Sequence, residues 1–318
     1  MLSKSVLIFF MICPLTLWAQ EDKIKKTDSS VVETKYFTYL NAIRVFNRLK
    51  NQNKTYYTDY YYHPRKIHEQ GVFLNNNCWG IWNEFWSNGK LKRQIDYNKG
   101  EIVYFDKKAY PSYTFENSVK LKADDIVKLC YGAEFFKKNI IWNISDSYMY
   151  RGDLSAEWTE KVNFTPTDFL FRYNIKFDNK TYLSLIEFDI DSTGKFVAGK
   201  DILGLEKLPS NNTPTFKLDI KSAIALAKQK GLIETPTKKA KAFLTWDGNP
   251  SRHFRIYVAI NTVSKKDIHP KGRSTIVDNY DVYVFNPWTG AFLQKKKMKS
   301  VRGWELSSGS STGLLPDN

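Results

Sequence analysis

Histidine and cysteine, the side chains that most often bind metal ions or act as nucleophiles, are scarce in this chain of 318 residues. It has four histidines and three cysteines, and none forms the His-x-x-x-His or Cys-x-x-Cys spacing of a zinc site. His63 and His68 flank a proline, and on a strand they would point to opposite faces. The sequence also lacks a Gly-x-Ser-x-Gly turn, a phosphate-binding loop and a dinucleotide fingerprint. These absences predict a protein with no metal, no cofactor and no enzymatic activity.

Carboxylates are the remaining candidates for catalysis, because a pair that converges across a cleft can cleave a glycosidic bond. Asp153 and Glu157 are close in the sequence, and so are Asp189 and Asp191. The second pair stands at the end of a strand pattern and is more simply explained as the start of a turn. An enzyme that acts on envelope glycans is one alternative, and it requires these acidic residues to converge.

Long apolar runs are absent beyond the N-terminus. MLSKSVLIFFMICPLTLWAQ has Lys4 before a short apolar run and Ala19 before polar residues, which is the order of a secretory signal peptide. A lipoprotein signal that uses Cys13 is the alternative, but bulky Ile12 stands where a small residue is needed. We therefore predict residues 1–19 as a signal peptide, no transmembrane segment, and an exported protein that is periplasmic, envelope-associated or secreted.

Cleavage after Ala19 would leave two cysteines, Cys78 and Cys130. In an oxidising compartment they could form a disulfide, although two distant cysteines are not a disulfide framework. Two separate buried thiols are the alternative.

Negative charge is in short supply. The chain has 48 Lys and Arg against 33 Asp and Glu, a formal net charge of +15. A basic protein attracts anions, and export argues against a nucleic acid as the target. Acidic glycans, lipid headgroups or an acidic protein are the partners that remain. Alternatively, the lysines only keep an aromatic-rich protein soluble.

Aromatic residues make up 15% of the chain, which favours strands. Within the N-terminal segment, 20–111, the polar residues 20–32 predict a flexible lead-in. KYFTYLNAIRVFNRLK (35–50) predicts a short helix, and TYYTDYYYHPRKIHEQGVF (55–73) predicts a strand that ends in a turn.

WGIWNEFWSNGKLKRQIDYNKGE (79–101) contains three tryptophans and Asn88-Gly89, a strong signal for a type I′ hairpin turn. This turn would set Ser87 opposite Lys90, Trp86 opposite Leu91, Glu84 opposite Arg93 and Trp82 opposite Ile95. Trp82 and Trp86 are therefore predicted to pack within a sheet, and the role of Trp79 stays open.

The pattern in this hairpin resembles a MORN-variant repeat. The matching residues are Gly80, Trp82, Phe85, Trp86, Asn88, Gly89, Lys90, Leu91, Tyr97 and Gly100. Proteins with this repeat are often labelled antitoxin-like and usually carry tandem copies. One copy is clear here, and Gly71 and Phe73 would open a degenerate second one.

After Pro111 the chain repeats itself. VKLKADDIVKLC (119–130) aligns with FKLDIKSAIALA (216–227), 97 residues later. FRYNIKF from Phe171 is similar to FRIYVAI from Phe254, and the strands from Tyr182 and Tyr280 each end in a Thr-Gly turn. Residues 112–207 and 213–302 therefore predict two copies of a helix followed by an antiparallel sheet, an α+β fold.

The two helices are predicted from different signals. In the second copy, Asp219 is the expected N-cap, Gly231 the C-terminal stop, and the buried face is Ile220, Ala223, Ile224 and Ala227. In the first copy, Asp124 and Asp125 are expected at the helix N-terminus, and the buried face is Ile126, Leu129 and Cys130.

The helix DIKSAIALAKQKGL, followed by strands that end in YDVYVFNPWTGAF, resembles the PepSY or propeptide-type family, a cystatin-like α+β unit. This resemblance implies a non-catalytic module that holds or inhibits a partner, typically a peptidase. A peptidase inhibitor or propeptide-like modulator is therefore another alternative.

The two copies differ in one connection. DNK (178–180) in the first copy corresponds to SKKDIHPKGRSTIVD (264–278) in the second, which predicts a long loop suited to an anionic group. Its candidate binding residues are Lys265, Lys266, His269, Lys271 and Arg273. Trp288 at the next turn would either stack on a sugar ring or pack against its own sheet. Residues 303–318 are rich in Ser and Gly and predict a disordered tail.

These features together predict an exported, non-enzymatic binding protein of the bacterial envelope. Its sheet surfaces and its basic loop are the expected binding sites for a protein or an anionic partner. The oligomeric state is left open.

Overall fold

The computed structural model describes residues 22–37, 42–61, 65–158, 160–206, 214–248, 251–268, 274–304, 309–311 and 315–316. Antiparallel sheets dominate these residues and three α-helices accompany them, which confirms the predicted α+β class. None of the helices in the described ranges is long and apolar enough to cross a membrane. The chain divides into two compact units. The first is formed by the residues up to Tyr97 and by Ile102–Asp106, and the second by Asn98–Glu101 and the chain from Lys107.

The first unit is one sheet of eight strands, and their order in the sheet is their order in the chain. The strands are β1 (Lys23–Lys26), β2 (Ser30–Phe37), β3 (Ala42–Leu49), β4 (Lys54–Tyr61), β5 (Ile67–Leu74), β6 (Asn77–Phe85), β7 (Leu91–Asp96) and β8 (Glu101–Phe105). The predicted strand within residues 55–73 is confirmed as parts of β4 and β5.

Two predictions for the start of this unit were wrong. The segment 35–50 contributes to β2 and β3 rather than to a helix. Its side chains alternate between faces, with Ile43 and Val45 on one face and Arg44 and Phe46 on the other, as on any strand. The described part of the predicted flexible lead-in, residues 22–32, instead contains β1, which pairs with the start of β2.

The hairpin of β6 and β7 has two of the four predicted pairs and a different turn. Trp82 faces Ile95 and Glu84 faces Arg93, as predicted. Of the three loop residues 87–89, Gly89 alone has a positive φ, of 85°. Its N–H donates to the Trp86 carbonyl at 2.8 Å, and the Trp86 N–H donates to the Lys90 carbonyl at 2.8 Å. The turn is therefore a three-residue loop with a glycine bulge, so Phe85 rather than Trp86 lies opposite Leu91.

The turn with two central residues at positive φ occurs one hairpin earlier. Asn75 and Asn76 join β5 to β6 with φ of 52° and 65°, and Leu74 pairs with Asn77 across them. Asparagine adopts the left-handed conformation more readily than most residues with a side chain. The Asn-Asn pair therefore supplies the type I′ turn that was predicted at Asn88-Gly89.

One face of the first sheet, called the inner face here, buries an aromatic cluster. Tyr57 stacks on Trp82 with ring centroids 5.5 Å apart, and Phe73 packs edge-on against both. The Trp82 indole lies over Gly71, where a Cβ atom would come within 2.1 Å of the ring. Its Nε1–H donates to the Val72 carbonyl at 3.1 Å. Trp82 has the predicted structural role, and Gly71 provides the space that it occupies.

Charged side chains continue the inner face beside this cluster. The pairing sets Arg44, Asp59, Glu69, Glu84 and Arg93 opposite one another across five strands, a set that we call the charge row. Asp59 and Glu84 are buried. His68 lies between them, with Nδ1 3.2 Å from Asp59 Oδ2 and Nε2 3.7 Å from Glu84 Oε1. Hydrogen bonds with these two carboxylates raise the pKa of His68 to about 9, so its ring is protonated at neutral pH.

The second unit contains two sheets, which we assign to a first half and a second half. The first half comprises α1 (Tyr113–Tyr131), α2 (Ala133–Asn139), β9 (Ile140–Trp142), β10 (Tyr148–Arg151), β11 (Leu154–Glu157), β12 (Asp168–Phe177) and β13 (Lys180–Asp191). Its strand order is β11-β10-β12-β13, and β9 also pairs with β12. Phe169, Phe171, Phe188 and Ile190 are fully buried on this sheet.

The second half has one helix and a sheet with long strands. It comprises α3 (Ile220–Gln229), β14 (Lys241–Asp247), β15 (His253–Ile268), β16 (Ser274–Phe285), β17 (Phe292–Trp304), β18 (Gly309–Ser311) and β19 (Leu315–Pro316). The strand order is β14-β15-β16-β17-β18, and β19 also pairs with β17. Part of the segment 303–318, expected to be disordered, therefore forms strands.

Helix α3 has the predicted ends. The Asp219 side chain accepts a hydrogen bond from the Ser222 N–H at 2.6 Å, which caps the N-terminus. Gly231 follows the helix with φ of 95°, and the Leu232 N–H donates to the Ala227 carbonyl at 3.0 Å. This bond closes a Schellman motif, in which glycine ends the helix without steric cost.

Helix α1 differs from its prediction. It begins at Tyr113 rather than at Asp124, so residues 113–123 are helical as well. Its buried face includes Val119, Ala123 and Val127, spaced four residues apart, whereas Leu129 is 87% exposed. The predicted face was wrong because the apolar residues near the helix end were assigned to it without the earlier turns.

A buried carboxylate joins the two halves of the second unit. Glu206, at the end of the first half, is 3% exposed. Its Oε2 accepts hydrogen bonds from Trp288 Nε1 at 2.9 Å and from the Phe254 N–H at 3.1 Å. His253 Nδ1 lies 2.6 Å from its Oε1. Phe216 stacks on the Trp288 ring at 5.0 Å, so aromatic packing surrounds this contact.

Candidate functional site

The positive charge of the chain is concentrated in the second half of the second unit. Residues 213–302 carry 18 Lys and Arg against 6 Asp and Glu, whereas residues 112–207 carry 13 against 15. Two segments with similar order of elements therefore differ strongly in charge. A site for an anionic partner is best sought in the second half.

The predicted basic loop is largely strand. β15 continues to Ile268 and β16 begins at Ser274, so Lys265 and Lys266 pair with Val277 and Ile276. The prediction of a loop over 264–278 was wrong, because Thr275, Ile276 and Val277 are β-branched and extend the hairpin. His269, Lys271 and Arg273 lie outside the described residues.

Four lysines share one face of this extended hairpin. Pairing sets Lys295 opposite Tyr283, Lys297 opposite Asp281 and Lys299 opposite Asn279, and Lys265 lies opposite Val277. Residues 277, 279, 281 and 283 alternate along β16 and therefore point to the same side. We call Lys265, Lys295, Lys297 and Lys299 the lysine face. Along β17 its ammonium groups are attached about 7 Å apart, at every second residue.

Most of the lysine face is available to a partner. Lys265, Lys295 and Lys297 are exposed and Lys299 is half-buried. Asp281 pairs with Lys295 at 2.8 Å, and this hydrogen bond raises the pKa of Lys295. The other three lysines form no ion pair with the side chains that the structure describes. The face thus keeps a clear excess of positive charge.

Two cations on the opposite face of the same strands make internal contacts. Lys296 Nζ donates to the Tyr257 hydroxyl at 2.6 Å and lies 4.5 Å from the centroid of that ring. Arg302 Nη2 is 2.6 Å from Asp278 Oδ2. The hydrogen bonds of Asp278 with Ser264 and Arg302 lower its pKa. Lys296 and Arg302 therefore stabilise the fold, which separates them in role from the lysine face.

Trp288 lies in the contact between the two halves rather than on the lysine face. Its ring is half-buried and packs against Phe216 and Phe135, with the Phe135 centroid 5.5 Å away. Its indole N–H is bonded to Glu206. The structure therefore matches the alternative in which this tryptophan packs, not the one in which it offers a platform for a sugar.

The acidic residues considered for catalysis lie at the ends of two strands, and Asp191 is held by local hydrogen bonds. Asp191 accepts hydrogen bonds from the backbone N–H groups of Thr193 and Lys195 and from the Thr193 hydroxyl, which lower its pKa. Asp189, one pleat earlier on β13, is buried, and burial raises its pKa. Asp153 is in the turn between β10 and β11, and Glu157 ends β11. Among the described residues, no group of three or more His, Cys, Asp or Glu could hold a metal ion.

The two cysteines belong to different units. Cys78 is on β6 and Cys130 is on α1, and both are half-buried thiols. A disulfide between them stays a prediction.

Sequence reasoning singled out Lys265 but missed Lys295, Lys297 and Lys299. The signal was present in QKKKMKS (294–300), because lysines at every second position of a strand share a face. No protein-family model, curated protein or solved structure matches the chain. Its function is therefore inferred from the charge, spacing and exposure of the lysine face.

Proposed function

We propose that this chain is a non-enzymatic binding protein whose lysine face holds a polyanion of the bacterial envelope. The observation that carries this proposal is the row of alternate lysines on β17, which continues onto β15 through Lys265. Regularly repeated positive charge suits a partner whose negative charge also repeats. A single small anion would need a concave site with converging donors instead.

The strength of such a surface can be estimated from its charge. A lysine close to an anionic surface contributes about 1 kcal/mol at moderate ionic strength. Three lysines without ion pairs would then favour binding by about 3 kcal/mol, a factor of about 100 in affinity. Because these side chains are exposed, salt screens the attraction, and binding weakens as the salt concentration rises.

The wider assignment rests on resemblance. We assign the β6–β7 hairpin to the MORN-variant type and the two halves of the second unit to the PepSY-like type. The surrounding antiparallel strands and the helix that accompanies each later sheet support this assignment. Export through a signal peptide at residues 1–19 would bring the protein to the envelope, where anionic glycans and lipid headgroups are available.

The test compares two variants that change net charge equally. The first is Lys265→Gln, Lys297→Gln, Lys299→Gln. The control is Lys176→Gln, Lys180→Gln, Lys195→Gln, which removes three exposed lysines from the first half of the second unit. Fluorescence anisotropy with labelled heparin fragments, a model polyanion, would give the dissociation constant at several salt concentrations.

We expect the first variant to bind heparin about 100-fold more weakly and with a shallower dependence on salt. The control variant should bind within about threefold of the wild type. Equal losses in both variants would show that only net charge matters, and the lysine face would then not be the site. A wild type that binds polyglutamate and ignores heparin would indicate an acidic protein as the partner.

A further inference from the structure

The first sheet has a second face, opposite the aromatic cluster and the charge row, which we call the outer face. Strand pairing sets Tyr56 opposite Val72 and Val72 opposite Trp79, a line of side chains across β4, β5 and β6. Tyr57 points to the inner face, so its chain neighbour Tyr56 points outward, and the residues paired in line with Tyr56 lie on the same face. We call Tyr56, Val72 and Trp79 the aromatic row.

The two rings of the aromatic row are open to solvent. Tyr56 is 45% exposed and Trp79 is 39% exposed. Lys54 Nζ lies 4.9 Å from the Trp79 ring centroid, a contact that helps to hold the indole in place. The rings sit on strands two positions apart, and hence about 9.5 Å from each other. This distance is comparable with the length of two pyranose rings in an extended glycan.

A second line of side chains runs parallel to the aromatic row. Thr58 lies opposite Gln70, Gln70 opposite Asn83, and Asn83 opposite Gln94. We call Gln70, Asn83 and Gln94 the amide row. Gln94 Nε2 donates to Asn83 Oδ1 at 2.7 Å, which orients both amides. All three amides are half-buried and therefore reachable from solvent.

We propose that the outer face binds a neutral, extended glycan chain that crosses the strands. Flat rings stack on the apolar faces of pyranose sugars, and amides both donate to and accept from hydroxyl groups. Neither row contains an ionised side chain, and the ammonium of Lys54 beside them is engaged with the Trp79 ring, so an uncharged ligand is favoured over a polyanion. The spacing of the two rings selects a polymer over a single sugar, because only a chain reaches both. This site is independent of the lysine face and uses the first unit alone.

The probes are hexasaccharides of β-1,4-linked glucose and of β-1,4-linked N-acetylglucosamine, titrated into the purified chain by isothermal calorimetry. The variant is Tyr56→Leu with Trp79→Leu, which keeps apolar surface and removes the rings. The control is Phe115→Leu with Phe196→Leu, whose exposures of 39% and 45% match those of the two target residues. Thermal unfolding of each variant would confirm that it is folded.

We expect the wild type to bind at least one hexasaccharide and the Tyr56/Trp79 variant to bind it at least about tenfold more weakly. The control should stay within about twofold, and a monosaccharide should bind far more weakly than the hexasaccharide. Gln70→Leu alone should weaken binding about fivefold through the loss of hydrogen bonds. Absence of binding to both hexasaccharides, or undiminished binding by the Tyr56/Trp79 variant, would overturn the proposal. Equal losses in that variant and in the control would overturn it as well.

Discussion

The first unit holds its buried carboxylates among cations, whereas the second unit holds Glu206 mainly among hydrogen-bond donors that need no charge. In the charge row, Glu84 contacts Lys92 and Arg93, and the protonated His68 lies beside it. Glu206 is bonded to an indole N–H and a backbone N–H, with one imidazole nearby. Burial of a carboxylate is thus compensated by opposite charge in the charge row and by neutral hydrogen-bond donors at Glu206.

This difference determines what each unit responds to. The attraction between buried opposite charges is offset by the cost of removing them from water. The net stabilisation therefore changes when a change in protonation removes the charge of one partner. Bonds from neutral donors depend instead on the positions of the groups that make them. Glu206 therefore stabilises the unit only while its two halves stay together, and part of the stabilisation from the charge row depends on the charge of His68.

The largest effect is expected for Glu206→Ala. Loss of a buried acceptor leaves the indole and backbone N–H groups without a partner, which costs about 4 kcal/mol of the free energy of unfolding of the second unit. Native-state hydrogen exchange would measure the free energy of unfolding of each unit separately. Glu187→Ala is the control, since Glu187 pairs with Arg172 at 2.6 Å but is 26% exposed, and it should cost at most about 1 kcal/mol. Equal costs for Glu206→Ala and Glu187→Ala would show that the arrangement of neutral donors around Glu206 is not what makes it important.

The next effect concerns a carboxylate held by one cation and one neutral donor. Asp124 is bonded to Lys120 at 2.6 Å and accepts from the Tyr173 hydroxyl at 2.9 Å inside the first half. Tyr173→Phe should cost about 2 kcal/mol, because it removes a buried hydrogen bond to an ionised group. In a double-mutant cycle with Asp124→Ala, measured by hydrogen exchange, most of this cost should appear as the coupling energy between Tyr173 and Asp124. Additive costs would argue that the hydroxyl acts through packing.

A smaller effect is a pH dependence of stability that the first unit should show because of His68. The pKa of His68 is about 9 in the folded sheet against an ordinary value of 6.5, so its contribution is complete below pH 6.5 and is lost as the pH rises through 9. Its side chain is about one-third exposed, and after solvent screening we expect a loss of about 1.5 kcal/mol.

Urea unfolding at pH 6 and at pH 9.5 would measure this loss through the indole NMR signal of Trp82, which reports on the first unit. The His68→Gln variant should be less stable at pH 6 and should lose the pH dependence. The signal of Trp142, in the second unit, should change equally in both proteins. A wild type whose Trp82 signal shows no loss between these pH values would contradict the role of His68.

The smallest effect is expected for an exposed pair on the same sheet. Arg48 Nη1 is 2.9 Å from Glu33 Oε2, and the Arg48 side chain is 53% exposed. Arg48→Ala should cost less than about 0.5 kcal/mol, and 1 M salt should remove even this difference in urea unfolding. A larger or salt-resistant cost would mean that burial is not what distinguishes the charge row from surface pairs.

The features of the fold that could be predicted are determined by residues that are close together in the sequence. Asp219 and Gly231 mark the ends of α3 because caps act within one turn. The pairing of Trp82 with Ile95 followed from the position of the hairpin turn, even though the turn itself is of another type. The helix expected over residues 35–50 failed because its strand character depends on β4, which pairs with β3.

The parts that could not be predicted depend on several strands at once. The charge row requires the registers of four consecutive strand pairs, three of them shifted by bulges. His68 was therefore weighed only as a metal ligand with His63. The lysine face was missed for a similar reason, since Lys265 and Lys299 come together only through β16. Trp79 could not be assigned to the outer face until the bulge between the pairs Gln70–Asn83 and Val72–Trp79 was known.

The strand order of the first sheet has a consequence for how such a protein forms and diversifies. Every strand pairs with its neighbour in the chain, so the contacts are short in sequence and folding should be fast. Because each interface involves only adjacent strands, stability accumulates strand by strand, as in repeat proteins. A hairpin can therefore be added or lost at either end without rebuilding the middle, and the length of the sheet is the property most open to evolutionary change.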